Sequence, residues 1–259
     1  MSPGGLPLAG LRVVVTRARH QAGGLEAAIQ ALGGEAPLLP LLDVVPPDDL
    51  QHLRRALDRI GSFDALVFTS VNAVEAVEPS LAGRRSDTLV AAVGEATASA
   101  LAAAGVEDVA HPDPARSRAE GLLALLRGRL SPAAHVLLPQ AADARSVLAE
   151  GLARAGYEVV AVTAYDKRLP GVAASRYREL FADHPYGWVT FTSPRIVRHF
   201  RQLAGVEWAH RKGELRAASI GPVTSSALRA AGVEPAAEAV APGEPELVEA
   251  IVEAVGGGA

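Results

Sequence analysis

The stretch VVVTRARHQAGGLEAAIQALG, residues 13–33, is followed 123 residues later by VLLPQAADARSVLAEGLARAG, residues 136–156. Each stretch runs from an apolar segment through a polar loop into an Ala/Leu-rich segment of helical period, and each ends on a glycine. The same spacing carries Phe68-Thr69-Ser70 onto Phe191-Thr192-Ser193. The chain therefore contains an internal repeat, which decides how every other motif is placed.

The repeat continues with a slightly wider spacing, since VGEAT at 93–97 returns as IGPVT at 220–224. Short apolar runs that alternate with helical segments predict parallel α/β units. We therefore expect two domains, each with an open, doubly wound (flavodoxin-like) sheet. Two extended segments with prolines, 37–47 and 159–171, suggest strands that lead between the domains. The pattern leaves open whether each repeat folds on itself or the two halves exchange their first strand and helix.

Strands are predicted at 12–16, 65–69, 89–93, 135–138, 158–163, 187–192 and 216–220, and helices at 22–32, 50–59, 71–77, 96–104, 118–129, 143–154, 194–203, 223–231 and 245–254.

The composition is that of an ordinary globular protein and excludes several kinds of chemistry. Among 259 residues, 49% are hydrophobic, and 25 basic against 29 acidic residues give a formal charge of −4. That balance provides no broad cationic surface for a nucleic-acid backbone. The chain has no cysteine, which rules out disulfides, thiolate nucleophiles and iron–sulfur clusters. Without a leader-like start or a long apolar run, we expect a cytoplasmic protein with neither nucleic-acid nor membrane partners.

Four predicted helices begin directly after strands in the two copies of the repeat. Ser70 and Ser193 suit helix N-caps, and Pro194 suits the first helical position. Gly94 and Gly221 let a ligand approach the backbone closely. Free backbone N–H groups at such helix starts bind carboxylate or phosphate. For a single motif, capping alone is the simpler interpretation, but four of them at the carboxyl edges of sheets favour an elongated polyanion as ligand.

Five arginines offer further anion-binding groups, namely Arg17 and Arg19 after the first predicted strand, Arg116 and Arg118 in ARSRAEG, and Arg145 after Pro139-Gln140. Most surface arginines are merely solvated, so those just beyond the end of a strand are the better candidates. The chain has no P-loop, no G-x-S-x-G motif and no G-x-G-x-x-G motif, and its histidines show no H-x-x-x-H pair. We therefore expect neither a nucleotide nor a metal site. Tyr165, one of four tyrosines, lies in the extended segment at 159–171, and an amphipathic strand residue with its hydroxyl at the surface is the simpler interpretation.

Six motifs stand in order along the chain: FTSVNAV at 68–74, VGEAT at 93–97, LPQ at 138–140 with Arg145 and Leu148, VTAYDKR at 162–168, FTSP at 191–194 and IGPVTSSAL at 220–228. Together they resemble the uroporphyrinogen-III synthase family over about residues 11–252. The resemblance implies two α/β domains joined by a two-stranded β linker, one built from residues 1–43 and 168–259 and the other from residues 44–167. It also implies a lyase, a cyclising hydro-lyase that converts the linear octacarboxylate hydroxymethylbilane into uroporphyrinogen III in haem biosynthesis, with no cofactor.

In this family the substrate loses water and its ring D is inverted through a spiro intermediate. The functional tyrosine of the family falls on Tyr165, and a phenol, protonated at neutral pH, can assist the departure of the hydroxyl group. Where the family often has Arg-Pro after the first strand, this chain has Arg17-Ala18. We expect a monomer that receives its substrate by transient hand-over from the enzyme upstream. The predicted substrate-binding residues are Arg17, Ser70, Val71, Asn72, Gly94, Thr97, Ser117, Arg118, Gln140, Ser193, Pro194, Gly221, Pro222 and Thr224.

Two other interpretations remain at this point. The first is a non-catalytic two-domain protein that binds a polycarboxylate, which would bind its ligand without performing chemistry. The second is a nucleotide-dependent enzyme with doubly wound domains, which the missing phosphate-binding motifs disfavour.

Overall fold

The computed structural model describes residues 5–113 and 118–257. The chain forms two compact units. Unit 1 comprises the described residues up to Asp43 together with those from Arg168 onward, and unit 2 comprises Val44–Lys167. Helices and parallel strand pairs build both units, so the predicted α/β class is confirmed.

Unit 2 holds a six-stranded sheet in the order β2-β7-β6-β3-β4-β5, in which the pairs from β7 to β5 are parallel. Strands β2 and β7 both reach the boundary between the units, where Asp43 and Arg168 are assigned to unit 1. The strands are β2 Asp43–Val45, β3 Ala65–Phe68, β4 Leu89–Ala92, β5 Val109–Ala110, β6 His135–Ala141 and β7 Glu158–Arg168. The helices are α2 Gln51–Leu57, α3 Val71–Val77, α4 Glu95–Ala103, α5 Ala119–Arg127 and α6 Val147–Arg154.

The strands of unit 2 are apolar on both faces because helices cover both. Leu66 and Phe68 of β3 belong to a buried cluster with side chains of α2, α3 and α4. Ala65 and Val67, which alternate with them, belong to a second cluster with side chains of α5 and α6. The helix that follows β3 and the helix that follows β6 therefore pack on opposite faces of the sheet.

Unit 1 holds the parallel strand order β1-β8-β9-β10. Parallel bridges from Arg12 to Glu35 and from Val15 to Leu38 add the segment after α1 beside β1. Buried side chains of α1 and α11 form one cluster, and those of α7, α8, α9 and α10 contribute to another. The strands are β1 Val13–Val14, β8 Gly187–Phe191, β9 Leu215–Ser219 and β10 Ala237–Glu238. The helices are α1 Gly23–Ala31, α7 Ala173–Phe181, α8 Pro194–Ala204, α9 Trp208–Arg211, α10 Pro222–Ala230 and α11 Glu244–Gly256.

The topology answers the question that the repeat leaves open. Strand β1, from the first copy, pairs with β8 from the second copy, and β6, from the second copy, pairs with β3 from the first. The two halves thus exchange their first strand and helix. When each strand is numbered within its own copy of the repeat, both units show the flavodoxin-like order second-first-third-fourth-fifth. The segment after α1 serves as the second strand of unit 1, and β2 is an additional edge strand in unit 2. A separate two-stranded linker stays a prediction.

Most predicted elements agree with the observed ones within a few residues, and the differences have physical causes. Helix α6 begins at Val147, later than predicted, because β6 continues to Ala141 and the chain must first turn. Helix α7 is absent from the prediction, although Ala173, Tyr177, Leu180 and Phe181 are buried at helical spacing. The brief strands β5 and β10 have two residues each and give no periodic signal.

Candidate active site

Unit 2 has an open cleft at the carboxyl edge of its sheet. Strands β3 and β6 are neighbours there, and the chain leaves them toward opposite faces, which is the switch point where open α/β sheets bind ligands. The cleft has a volume of about 630 Å³. It is lined by Thr69, Ser70, Val93, Arg118, Ala119, Glu120, Gln140, Ala141, Asp143, Ala144, Arg145, Val147, Leu148, Tyr165 and Lys167.

Tyr165 lies on β7 and brings a phenol hydroxyl into this cleft. Its side chain is 4% exposed, so the ring is held by its surroundings. The phenol oxygen lies 2.9 Å from Oγ of Ser70, a residue 95 positions away in the chain. Ser70 is the N-cap of α3, and its Oγ accepts a hydrogen bond from the backbone N–H of Ala73 at 3.2 Å. The start of α3 therefore fixes the position of the phenol.

Cationic side chains line the same cleft as the phenol. Arg118, Arg145 and Lys167 all line the cleft, against the two carboxylates of Glu120 and Asp143. Nζ of Lys167 lies 5.5 Å from the centroid of the Tyr165 ring, within the range of a cation–π contact. Because α3, α4, α5 and α6 also begin at this edge, the cleft combines charged groups with the positive ends of helices, which favours an anion.

Tyr165 also borders a second, smaller pocket of about 360 Å³ in unit 2. This pocket is mostly apolar, and the predicted site residue Asn72 lines it with Glu75. The aromatic ring of Tyr165 thus separates a polar cleft from an apolar pocket. The remaining lining residues are Val44, Val45, Pro46, Leu50, Leu53, Ala76 and Ala164.

The structure thus brings four of the predicted site residues to the cleft, Ser70, Arg118, Gln140 and Tyr165. Val71 is the first residue of α3, and Gly94 is the N-cap of α4. Thr97 is 5% exposed and packs within unit 2, so its side chain is not presented at the surface. Ser117 lies outside the described residues.

The predicted site residues of unit 1 lie at the starts of its helices. Ser193 caps α8 by accepting a hydrogen bond from the backbone N–H of Ile196 at 3.3 Å, and Pro194 is the first helical residue. Gly221 and Pro222 stand in the same way at the start of α10. Thr224 is 3% exposed, like Thr97 in unit 2. Arg17, just beyond β1, forms an ion pair with Glu244 at the start of α11.

Besides the carboxylates of Glu120 and Asp143, sequence analysis missed one cation that lines the cleft, Lys167. It stands in the motif VTAYDKR, two residues after Tyr165, but the motif as a sequence gave no reason to select it. Residues two apart on a strand share a face, and that rule would have found it.

Metal and membrane sites receive no support from the part of the chain that the structure describes. Across residues 5–113 and 118–257, no three His, Asp or Glu side chains come together so that they could hold a metal ion. Within the same ranges, no helix has both the length and the apolar character that crossing a membrane requires.

The fold and the cleft define a doubly wound α/β protein with a site suited to an anion. A sequence family described as Uroporphyrinogen-III synthase HemD matches residues 24–249. The uroporphyrinogen-III synthase of Synechococcus elongatus is 33% identical over 231 residues, which cover 85% of this chain and 86% of that relative. The chain belongs to the uroporphyrinogen-III synthase family, and its activity is the cyclising hydro-lyase reaction of tetrapyrrole biosynthesis. The family predicted from the motifs is confirmed.

More distant similarities extend to one further sequence and to two solved structures. The porphyrin biosynthesis protein HemD of Ruminiclostridium josui is 25% identical over 201 residues, which cover 75% of this chain and 39% of that relative. A mutant uroporphyrinogen III synthase from the extremely thermophilic bacterium Thermus thermophilus has a TM-score of 0.64 at 20% identity, covering 96% of this chain and 100% of its own. The uroporphyrinogen-III synthetase from Helicobacter pylori has a TM-score of 0.63 at 20% identity, covering 94% and 99%. These two structures share the fold, and nothing among the relatives favours a non-catalytic binding protein.

Proposed function

We propose that Tyr165 is the proton donor when hydroxymethylbilane loses its hydroxyl group, and that the hydroxymethyl end of the substrate binds in the cleft of unit 2. One observation carries the proposal. The phenol of Tyr165 reaches Oγ of Ser70 at 2.9 Å in a cleft lined by Arg118, Arg145 and Lys167. A proton donor and the groups that hold an anion therefore share one site.

The proposed step conserves charge and atoms. The bond between the methylene carbon and its oxygen breaks with its electron pair on oxygen, and the proton of Tyr165 completes a water molecule. The nitrogen lone pair of the pyrrole stabilises the resulting cation, an azafulvenium ion. Its N–H proton then returns to the phenolate and leaves a neutral azafulvene. General acid catalysis of this kind is worth about 10²–10⁴-fold in rate.

The substrate carries eight carboxylates, which explains why cationic and helix-start groups are needed. In unit 2 we assign carboxylate binding to Val71, Asn72, Gly94, Arg118 and Gln140. We assign the same role to Ser117, which is outside the described residues. Thr97 is buried and Ser70 is engaged with Tyr165 and Ala73, so their hydroxyls are not assigned this role. In unit 1 we assign carboxylate binding to Arg17, Ser193 and Gly221. Pro194 and Pro222 have no N–H and are assigned only van der Waals contact with the substrate, and the hydroxyl of the buried Thr224 is not assigned this role.

Holding one geometry is the main task of the protein, because ring closure without inversion proceeds unaided. Binding groups that fix ring D for attack at its substituted position favour the inverted product and exclude the other. We further propose that the two compact units are the two domains, that the enzyme works as a monomer in the cytoplasm, and that it receives its substrate directly from the upstream enzyme.

A coupled assay tests the proposal. Hydroxymethylbilane is generated in place, the protein is added, and the uroporphyrinogen isomers are separated after oxidation. We expect mainly isomer III from the wild type and a fall in kcat of about 10²-fold or more for Tyr165→Phe. Tyr157→Phe is the matched control, since Tyr157 is also buried in unit 2 but bonds to the carbonyl of Leu126 at 3.4 Å, away from the cleft. Unchanged turnover of Tyr165→Phe rejects the role of Tyr165.

A further inference from the structure

Ser70 occupies an unusual position between a helix and the phenol. Its Oγ accepts the backbone N–H of Ala73 at 3.2 Å and lies 2.9 Å from the oxygen of Tyr165. A serine hydroxyl has one proton and two acceptor lone pairs. Because one lone pair already serves the helix, the proton of Ser70 can be directed to the phenol oxygen.

We propose that Ser70 is a positioning residue that donates its hydroxyl proton to the oxygen of Tyr165 as negative charge develops there. The inference rests on the proposed role of Tyr165. Once Tyr165 has given its proton to the departing hydroxyl, its oxygen is an acceptor alone, and Ser70 holds the remaining proton between the two atoms. The bond must then run from Ser70 to Tyr165. The proton of Ser70 is not transferred, so the step stays balanced as written above.

This bond strengthens during the reaction. Before proton transfer it joins two neutral hydroxyls, and afterwards its acceptor is charged, which roughly doubles the strength of a hydrogen bond. The helix N–H that Ser70 accepts polarises its hydroxyl further, and so does the positive end of the helix. An interaction that is stronger in the transition state than in the ground state raises kcat and leaves KM nearly unchanged.

The equivalent serine of unit 1 shows what must be separated from this role. Ser193 caps α8 as Ser70 caps α3, but the position equivalent to Tyr165 is occupied by Leu42. Capping alone therefore explains a serine at this point of the repeat. A test must keep the cap and remove the hydroxyl.

Three substitutions at Ser70 make that separation. Glycine caps helices almost as well as serine does, whereas alanine caps them much less well, and neither glycine nor alanine has a hydroxyl. Threonine both caps helices and has a hydroxyl. The φ of −160° at Ser70 is extended backbone, which all three residues adopt. We expect Ser70→Gly and Ser70→Ala to lower kcat equally, about ten- to hundred-fold, with KM within about twofold. We expect Ser70→Thr to keep kcat within about threefold. Thermal unfolding should rank the variants differently, with Ser70→Ala lowest.

The inference is overturned if Ser70→Gly has the kcat of the wild type and if the kcat of Ser70→Ala falls only in line with its lower stability. Ser70 would then act as a helix cap alone. A loss in Ser70→Thr equal to that in Ser70→Gly also overturns the inference.

Combination with Tyr165→Phe separates this inference from the proposal it rests on. If Ser70 acts through the phenol, Ser70→Gly causes no further loss of kcat in the Tyr165→Phe background. Additive losses overturn the role of Ser70 and leave that of Tyr165 standing. Normal activity of Tyr165→Phe alone overturns the role of Tyr165 instead.

Discussion

Units 1 and 2 share a strand order but carry different residues at the carboxyl edge of the sheet. The position of Tyr165 in unit 2 corresponds, 123 residues earlier, to Leu42 in unit 1, and that of Gln140 corresponds to Arg17. Leu42 packs against the hydrophobic core, and Arg17 pairs with Glu244. In unit 1, both Leu42 and Arg17 are therefore in contact with other residues of the same unit. Unit 2 instead presents a phenol and cations to a cleft. The shared fold supplies the positions, and the side chains decide the chemistry.

The cores differ as well. One cluster of unit 1 contains six aromatic residues in contact with one another. The corresponding cluster of unit 2 is mainly aliphatic, with Phe63, Phe68 and Tyr165 as its aromatic members. Both tryptophans of the chain, Trp188 and Trp208, are in unit 1, so tryptophan fluorescence reports on that unit alone.

The largest expected effect concerns Phe200, which lies at the centre of the aromatic cluster. Its ring centroid lies 5.3 Å from that of Tyr186 and 5.5 Å from that of Phe191, and its side chain is fully buried. We expect Phe200→Ala to cost about 3–5 kcal/mol, measured as an earlier fluorescence transition in denaturant. Leu137→Ala in unit 2 should shift the circular-dichroism transition and leave the fluorescence transition in place. If fluorescence shifts equally in both variants, the two units unfold together and the comparison fails.

Gly221 and Gly94 offer the next contrast, since they stand at equivalent points of the repeat. Gly221 has φ 153° and ψ −179°, a region that is essentially restricted to glycine, whereas Gly94 has φ −173°, which is ordinary extended backbone. We expect Gly221→Ala to cost about 1–3 kcal/mol of stability, and Gly94→Ala to introduce no such strain. Thermal unfolding of both variants measures the difference, and equal losses would contradict the backbone argument.

Much of the fold could be predicted from sequence because the signals are local. The apolar runs at β3 and β8 and the helical period of α3 and α8 need no knowledge of distant partners. The exchange between the halves could not be predicted, because periodicity does not reveal which strand a neighbour pairs with. For the same reason the contact between Ser70 and Tyr165, 95 residues apart, emerged with the structure alone.

Two features of the structure were not predicted, helix α7 and the partner of Arg17, and only the first has a signal in the sequence. Helix α7 begins where the repeat spacing places the second-copy counterpart of α2, so the repeat itself contains its position. The pairing of Arg17 with Glu244 joins the beginning and the end of the chain, and no local pattern in sequence indicates it.

Alkaline pH should destabilise unit 1. The hydroxyls of Tyr177 and Tyr186 lie 2.5 Å apart in the aromatic cluster, and burial raises the pKa of both phenols above the ordinary value. The folded state therefore favours the neutral phenols. Their contribution is complete below the unfolded-state pKa of about 10 and is lost as pH rises above it. We expect the fluorescence transition to move to lower denaturant above about pH 10. Replacing both tyrosines with phenylalanine should flatten that dependence, and a dependence that persists would assign it to other groups.

The smallest expected effect concerns Glu244, which holds Arg17 in unit 1. The two side chains are about one-quarter exposed, and pairs of this kind contribute about 0.2–1 kcal/mol, so Glu244→Gln should barely lower stability. The substitution also removes a carboxylate that competes with the substrate for Arg17. If Arg17 binds a substrate carboxylate as proposed, KM should fall by about two- to threefold, and more at low salt than at high salt, because exposed charges are screened. Glu246→Gln on the same helix is the control for charge alone. An equal fall in KM in both variants would mean that Arg17 contributes no specific contact, and the edge of unit 1 would then differ from that of unit 2 in function as well as in its residues.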